Sequence, residues 1–182
     1  MLSRPRHTRF RFLLCRRFAK NGEGSAAVQF ALVAPLFFAL LFAIMETAIV
    51  FFAGQALETG VHDTARLVMT GQAQAAKMTQ AQFKQKICDR ISSMFTCDDL
   101  YVEVQKQTSF SDFTKNAKSA CDPLGTAGYV STNPGDIVMV RALYKWPLYV
   151  TGLGFHIGDK AGGGGQCSKR LLVSTAVFRN EP

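Results

Sequence analysis

The stretch FALVAPLFFALLFAIM, residues 30–45, decides the architecture of this chain. Every residue in it is apolar, and after Glu46 and Thr47 the apolar pattern resumes from Ala48 to Ala53. An α-helix rises about 1.5 Å per residue, so about 20 residues cross the hydrocarbon layer of a bilayer. A buried core helix is the alternative, but a polar-free run of this length is unusual in a chain of 182 residues. The run therefore predicts one membrane-spanning helix over about Ala31–Phe52.

The charges on either side of this run predict which way the helix faces. Seven of the 21 Lys and Arg residues lie in the first 20 positions, whereas residues from 25 onward hold 14 basic against 12 acidic side chains. Because basic flanks stay cytoplasmic, we expect the N-terminus inside and the remainder outside. A basic arm is also typical of nucleic-acid binding, but the apolar run that follows favours membrane lipid, and we expect no nucleic-acid partner. A secretory signal is disfavoured because its apolar core is shorter, about 7–15 residues.

The junction between the basic arm and the apolar run reads NGEGSAAVQFALVAP, residues 21–35. Together with Glu46 late in the helix, this junction resembles the start of the TadE-like family of tight-adherence (Flp pilus) pseudopilins. The similarity continues through Ala65-Arg66 and Thr70-Gly71, so that it covers roughly residues 22–71. The residues after this segment match no family motif.

This resemblance implies a pseudopilin-like component of the tight-adherence secretion machinery, which assists Flp pilus assembly through helix packing and periplasmic contacts. It further implies a bacterial inner-membrane location with a periplasmic C-terminal domain. The implied partners are other pilin-like subunits, tight-adherence assembly proteins, the prepilin peptidase and membrane lipid. The long C-terminal part favours a pseudopilin over the short major pilin. The alternative is a single-pass membrane protein whose periplasmic binding or sensory domain is unrelated to pili.

The same resemblance assigns roles to residues at the junction. By position, a prepilin peptidase would cut between Gly24 and Ser25, which makes Gln29 the fifth residue of the mature chain. Pilins usually carry Glu at that position. Gln29 keeps a hydrogen-bonding group but forfeits an ion pair with a neighbouring subunit, which favours an assembly role over that of the abundant subunit. Pro35 removes one backbone hydrogen bond from the helix and predicts a bend.

The remaining pattern predicts an α+β fold with three parts: a basic cytoplasmic leader (1–24), a transmembrane and juxtamembrane helix (25–76), and a periplasmic α+β domain (77–182). Gly60 predicts a weak point in the first helix. Thr79 and Gln82 form a capping-box pattern before a second helix. Its apolar positions recur every four residues, at Phe83, Ile87, Ile91 and Phe95. Alternating residues then predict a small antiparallel sheet from strands at 100–105, 136–146 and 171–178.

Five cysteines divide between the two sides of the membrane. Cys15 belongs to the leader and is expected to stay reduced, whereas Cys88, Cys97, Cys121 and Cys167 lie in an oxidising compartment. Four cysteines allow three pairings, of which we favour Cys88–Cys97 and Cys121–Cys167. Zinc is the competing interpretation, but the sequence lacks a Cys-x2-Cys pair and a His at useful spacing. We expect two disulfides and no metal.

Few residues suggest catalysis. His62 and His156 could each be drawn into a Ser-His-Asp set, but no nucleophile-elbow or Cys-His signature accompanies them. The glycine run 162–165 lacks the Lys-Ser/Thr ending of a phosphate-binding loop and predicts a flexible hairpin connection. We therefore expect no enzyme activity, no catalytic residues and no cofactor. Glu46 is the one ionisable residue in the apolar run, where it would either contact a partner or anchor the helix at the interface.

Overall fold

The computed structural model describes residues 24–109, 119–124, 128–150, 157–160 and 165–182. The basic arm with Cys15, His156, and residues 162–164 of the glycine run lie outside these ranges. The secondary-structure elements of the described part follow in chain order: α1 Ser25–Met69, α2 Gln72–Ala75, α3 Gln80–Ile91, a 3-10 turn Cys97–Asp99, β1 Leu100–Gln107, β2 Ile137–Pro147 and β3 Lys169–Arg179. The predicted α+β class is confirmed.

The three strands form one antiparallel sheet in the order β1-β2-β3. Val102 lies opposite Ala142, which in turn lies opposite Ser174 of β3. Side chains of a strand alternate between the two faces of its sheet, so the even-numbered positions share one face. These even-numbered side chains are largely buried, as the alternating sequence pattern predicted.

The chain divides into two compact units, residues 1–42 and 43–182. In the first unit, the described residues form the N-terminal part of α1, and its large apolar side chains from Val28 to Phe42 are exposed. In the second unit, the C-terminal part of α1 contributes Val50, Leu57 and Val61 to the hydrophobic core that α3 and the sheet complete. The core of the second unit therefore includes residues of α1 that precede residue 76.

The first helix ends earlier than the sequence pattern indicated. The periodicity predicted a helix to Ala76, but α1 ends at Met69 and Gly71 adopts a positive φ of 74°. Glycine takes this left-handed conformation without a steric penalty, which is why helices commonly end at such a residue. The short helix α2 follows and leads to Thr79. Here the capping box is present, with Gln82 N–H donating to Thr79 Oγ1 at 3.3 Å and Thr79 N–H donating to Gln82 Oε1 at 2.9 Å.

Gly60 lies in the middle of α1, where the helix approaches α3 closely. A Cβ atom built at Gly60 would lie 2.6 Å from Cγ2 of Ile91, and Ile91 is itself buried. The helix continues through this position instead of ending or breaking there. Gly60 therefore allows α1 to pack closely against α3. From the sequence alone, this glycine indicated only a weak point in the helix.

This contact leads to a prediction for Gly60→Ala. Alanine improves helix propensity by about 1 kcal/mol, but overpacking a core typically costs about 1–3 kcal/mol. We expect the variant to have a lower free energy of unfolding than the wild type, measured by urea denaturation of the detergent-solubilised chain with Trp146 fluorescence. Gly54→Ala is the matched control, because no heavy atom of the described part of the chain lies within 4 Å of its added Cβ. Equal stability of the two variants would contradict the assigned role of Gly60.

Candidate functional site

The centre of the candidate site is Glu46, which lies on α1 and is half-buried. Its carboxylate accepts hydrogen bonds from the backbone N–H groups of Tyr149 and Val150, in the turn that follows β2. The Val150 N–H lies 3.1 Å from Glu46 Oε1 and 3.2 Å from Oε2. We call this arrangement the Glu46 clamp. It attaches the turn Leu148–Val150 to α1 at the position of Glu46.

The clamp explains how a carboxylate is tolerated in an apolar helix. A charged group taken out of water is costly unless hydrogen bonds satisfy it, and backbone N–H groups are strong donors to a carboxylate. The sequence suggested a partner contact or an interfacial anchor for Glu46, whereas the structure shows a contact within the chain. Sequence reasoning missed it because backbone N–H groups more than 100 positions away leave no residue-type signal.

A groove of about 440 Å³ lies beside the clamp, between α1 and β3. Its charged side chains are Glu58 and Arg170, and the guanidinium of Arg170 donates to the backbone oxygen of Ile157 at 2.8 Å. The rest of the lining is mainly apolar or small: Thr47, Val50, Phe51, Gly54, Gln55, Ile157, Leu171, Leu172 and Val173. The groove thus combines an apolar lining with two charged side chains, as protein interfaces with an apolar centre and a polar rim do.

Two disulfides hold the domain together, with the pairings that the sequence favoured. Cys88–Cys97 joins α3 to the 3-10 turn before β1, with 5.7 Å between the two Cα atoms. Cys121–Cys167 joins the connection between β1 and β2 to the residues before β3, with a Cα–Cα distance of 5.6 Å. Asp159 reinforces the second link, since its carboxylate accepts the backbone N–H groups of Ala120 at 2.9 Å and Leu171 at 3.0 Å. The two bonds therefore link α3 to the start of β1, and the β1–β2 connection to the start of β3.

The leader-junction residues and the two helix residues Gln29 and Pro35 lie in the N-terminal unit. Gly24 immediately precedes α1 and Ser25 begins it, and both are exposed. Gln29 and Pro35 are exposed residues within the same helix, which continues through Pro35. The second unit contains Glu46 and the four paired cysteines. Within the described ranges, no cluster of three or more His, Cys, Asp and Glu side chains could hold a metal ion.

Among the described residues, α1 is the one helix that is long and apolar enough to cross a membrane. It contains 45 residues, about twice the number that a bilayer requires. A helix that is apolar on every side needs apolar surroundings, and the exposed residues between Val28 and Phe42 fit this condition. The chain is thus compatible with a single-pass membrane protein.

Comparison with known proteins gave one family match. Residues 24–66 match the family model described as TadE-like protein. No curated protein and no solved structure matches the chain. The matched residues begin at the predicted leader junction and include most of α1 together with Glu46. This chain therefore carries a TadE-like segment over residues 24–66. The TadE-like family is also the one that its N-terminal sequence resembles.

Proposed function

We propose that this chain is a pseudopilin-like component of the tight-adherence secretion machinery, with a structural rather than a catalytic role. Its N-terminus would be cytoplasmic and its C-terminal domain periplasmic, with the helix in the bacterial inner membrane. The helix would pack against other pilin-like subunits, and the domain would contact assembly proteins of the same machinery. One observation carries this proposal: the TadE-like match coincides with the exposed apolar part of α1.

The exposure of this helix supports a packing role. Leu32 is 75% exposed and Leu36 is 76% exposed, while small residues such as Ala31, Ala34 and Ala39 lie between the large ones. In membranes, small residues allow neighbouring helices to approach closely. A plain anchor would require hydrophobicity alone. The alternation of small and large side chains therefore favours a pilin-like helix over a simple tether.

Processing of the leader tests the proposal directly. When the chain is produced with its cognate prepilin peptidase, we expect mass spectrometry to show the loss of residues 1–24. The physical reason is access, since Gly24 and Ser25 are exposed at the start of α1 and, among the described residues, no atom lies within 4 Å of a Cβ built at Gly24. Gly24→Phe should block the cut because a large side chain replaces the smallest one at the scissile bond.

A matched control for this experiment is Gly22→Phe, which makes the same change two residues away. This control should still be cut after Gly24. An unprocessed chain under these conditions would contradict the proposed class, and so would a cut near Gly54, where a secretory signal ending with the apolar run would be cleaved. Either result would favour the single-pass protein with a periplasmic binding or sensory domain.

A further inference from the structure

The turn Leu148–Val150 is held at a defined level of α1. The Glu46 clamp holds one side of the turn, and Leu148 N–H donates to the backbone oxygen of Ser168 at 2.9 Å on the other. Leu148 is buried, whereas the side chain of Tyr149 is 83% exposed. The turn is therefore fixed to the helix and to the start of β3, and it presents one aromatic side chain outward.

The exposed apolar surface of α1 extends beyond this level. Ile49 is 46% exposed, Phe51 is 72% exposed and Phe52 is 65% exposed. We call these three residues the apolar belt of α1. Phe52 lies six positions after Glu46, so the belt ends about 9 Å further along the helix axis than the clamp. The turn is consequently nearer than Phe52 to the N-terminal end of α1, where the long exposed apolar stretch of the helix lies.

The positions of the Glu46 clamp and of the belt along α1 determine how deep the turn lies in the membrane. Exposed aromatic and apolar side chains are stable when the interfacial layer of the membrane covers them, and a helix whose belt lies in that layer carries the clamped turn about 9 Å deeper, toward the boundary with the hydrocarbon. We propose that the turn Leu148–Val150 and the first residues of β3 lie at the inner edge of the headgroup layer, next to the acyl chains, in the leaflet on the domain side. This inference rests on the membrane location in the proposed function and assigns the domain a lipid-contacting surface.

The chemistry of this surface fits phospholipid headgroups. Tyrosine favours the membrane interface because its ring is apolar and its hydroxyl is polar. Lys169 lies opposite Pro147 in the sheet register, next to the turn, and Lys169 and Arg170 are both exposed. The acidic neighbours include Glu46, which accepts the N–H groups of the turn, Asp159, whose carboxylate binds two backbone N–H groups, and Glu58 in the groove. The exposed Lys169 ammonium, and the guanidinium N–H groups of Arg170 other than the one donated to Ile157, can reach anionic phosphates.

Tryptophan fluorescence can test the depth of the turn. Trp146 is the only tryptophan in the chain, so Tyr149→Trp in a Trp146→Phe background carries a single probe at the turn. We expect dibrominated phosphatidylcholine, with bromines near the headgroup end of the acyl chains, to quench this probe in vesicles by about twofold or more. The wild-type chain provides a second reading from Trp146, which requires no substitution.

Val130→Trp in the same background is the matched control. Val130 lies two residues from Thr132, which accepts a hydrogen bond from Gln74 beyond the end of α1. That end is about 25 Å from Phe52 along the helix, and we expect no quenching there. If flotation shows an inserted chain but neither the probe at position 149 nor Trp146 is quenched, this inference is overturned while the proposed function stands. A chain that does not insert would overturn both.

Lipid composition and crosslinking separate lipid from a protein partner. With phosphatidylglycerol in the vesicles, we expect stronger quenching of the probe at position 149, and the double change Lys169→Gln and Arg170→Gln should remove that increase. An unchanged response to phosphatidylglycerol would overturn the assignment of the two cations. A photocrosslinker at position 149 should capture lipid in cell membranes. Capture of a protein there in place of lipid would overturn the lipid contact.

Discussion

Replacing residues 31–42 with leucine is expected to abolish surface pili while the chain still inserts and forms both disulfides. These residues belong to the N-terminal unit, whereas Ala43 and Val50 already lie in buried positions of the domain. With leucine at these positions, the apolar run still continues to Phe52 and remains long enough for insertion. It loses the small side chains that allow close approach of neighbouring helices. Pili are counted by electron microscopy in a strain that lacks the native chain.

The matched control restores the small residues alone. Returning Ala31, Ala34 and Ala39 to the leucine helix should recover most pili, because these positions permit close packing. Full piliation with the unmodified leucine helix would reduce the segment to a tether. The alternative, a single-pass membrane protein unrelated to pili, would then be favoured.

Removing the Cys121–Cys167 disulfide is expected to destabilise the domain more than removing Cys88–Cys97. The bonds close loops with sequence separations of 46 and 9 residues. In the chain-entropy model, these separations correspond to about 4 kcal/mol and about 3 kcal/mol of unfolding free energy at 25 °C. The Cys121→Ala/Cys167→Ala double variant should therefore unfold at the lowest urea concentration. Trp146 fluorescence of the solubilised full chain follows the transition.

The companion variant Cys88→Ala/Cys97→Ala serves as the control for this comparison. Cys88 is almost fully buried, at 1% exposure, so alanine also removes apolar contacts there. A larger loss for this variant than for the Cys121/Cys167 variant would contradict the loop-entropy order. Alkylation of the native wild-type chain gives an independent check, because only Cys15 should react without prior reduction.

Local chemistry predicted most of the secondary structure of this chain. The apolar run from Phe30 to Met45 predicted α1, because a long polar-free sequence needs a helix in apolar surroundings. Thr79 and Gln82 predicted the start of α3, since the capping box involves residues only three positions apart. The alternation in β1, β2 and β3 predicted strands because their side chains point to opposite faces of the sheet.

Contacts between distant parts of the chain decided the rest. A sequence pattern could indicate that Gly60 weakens a helix, but only the tertiary structure brings Ile91 within 2.6 Å of the position of its missing Cβ. The same limit applies to Glu46. Its charge and position in the helix indicated a group needing a partner, whereas the fold supplied that partner from the backbone of a turn more than 100 residues later. Hydrophobic periodicity reports which residues avoid water, but the close approach of backbones and side chains depends on how the assembled elements pack.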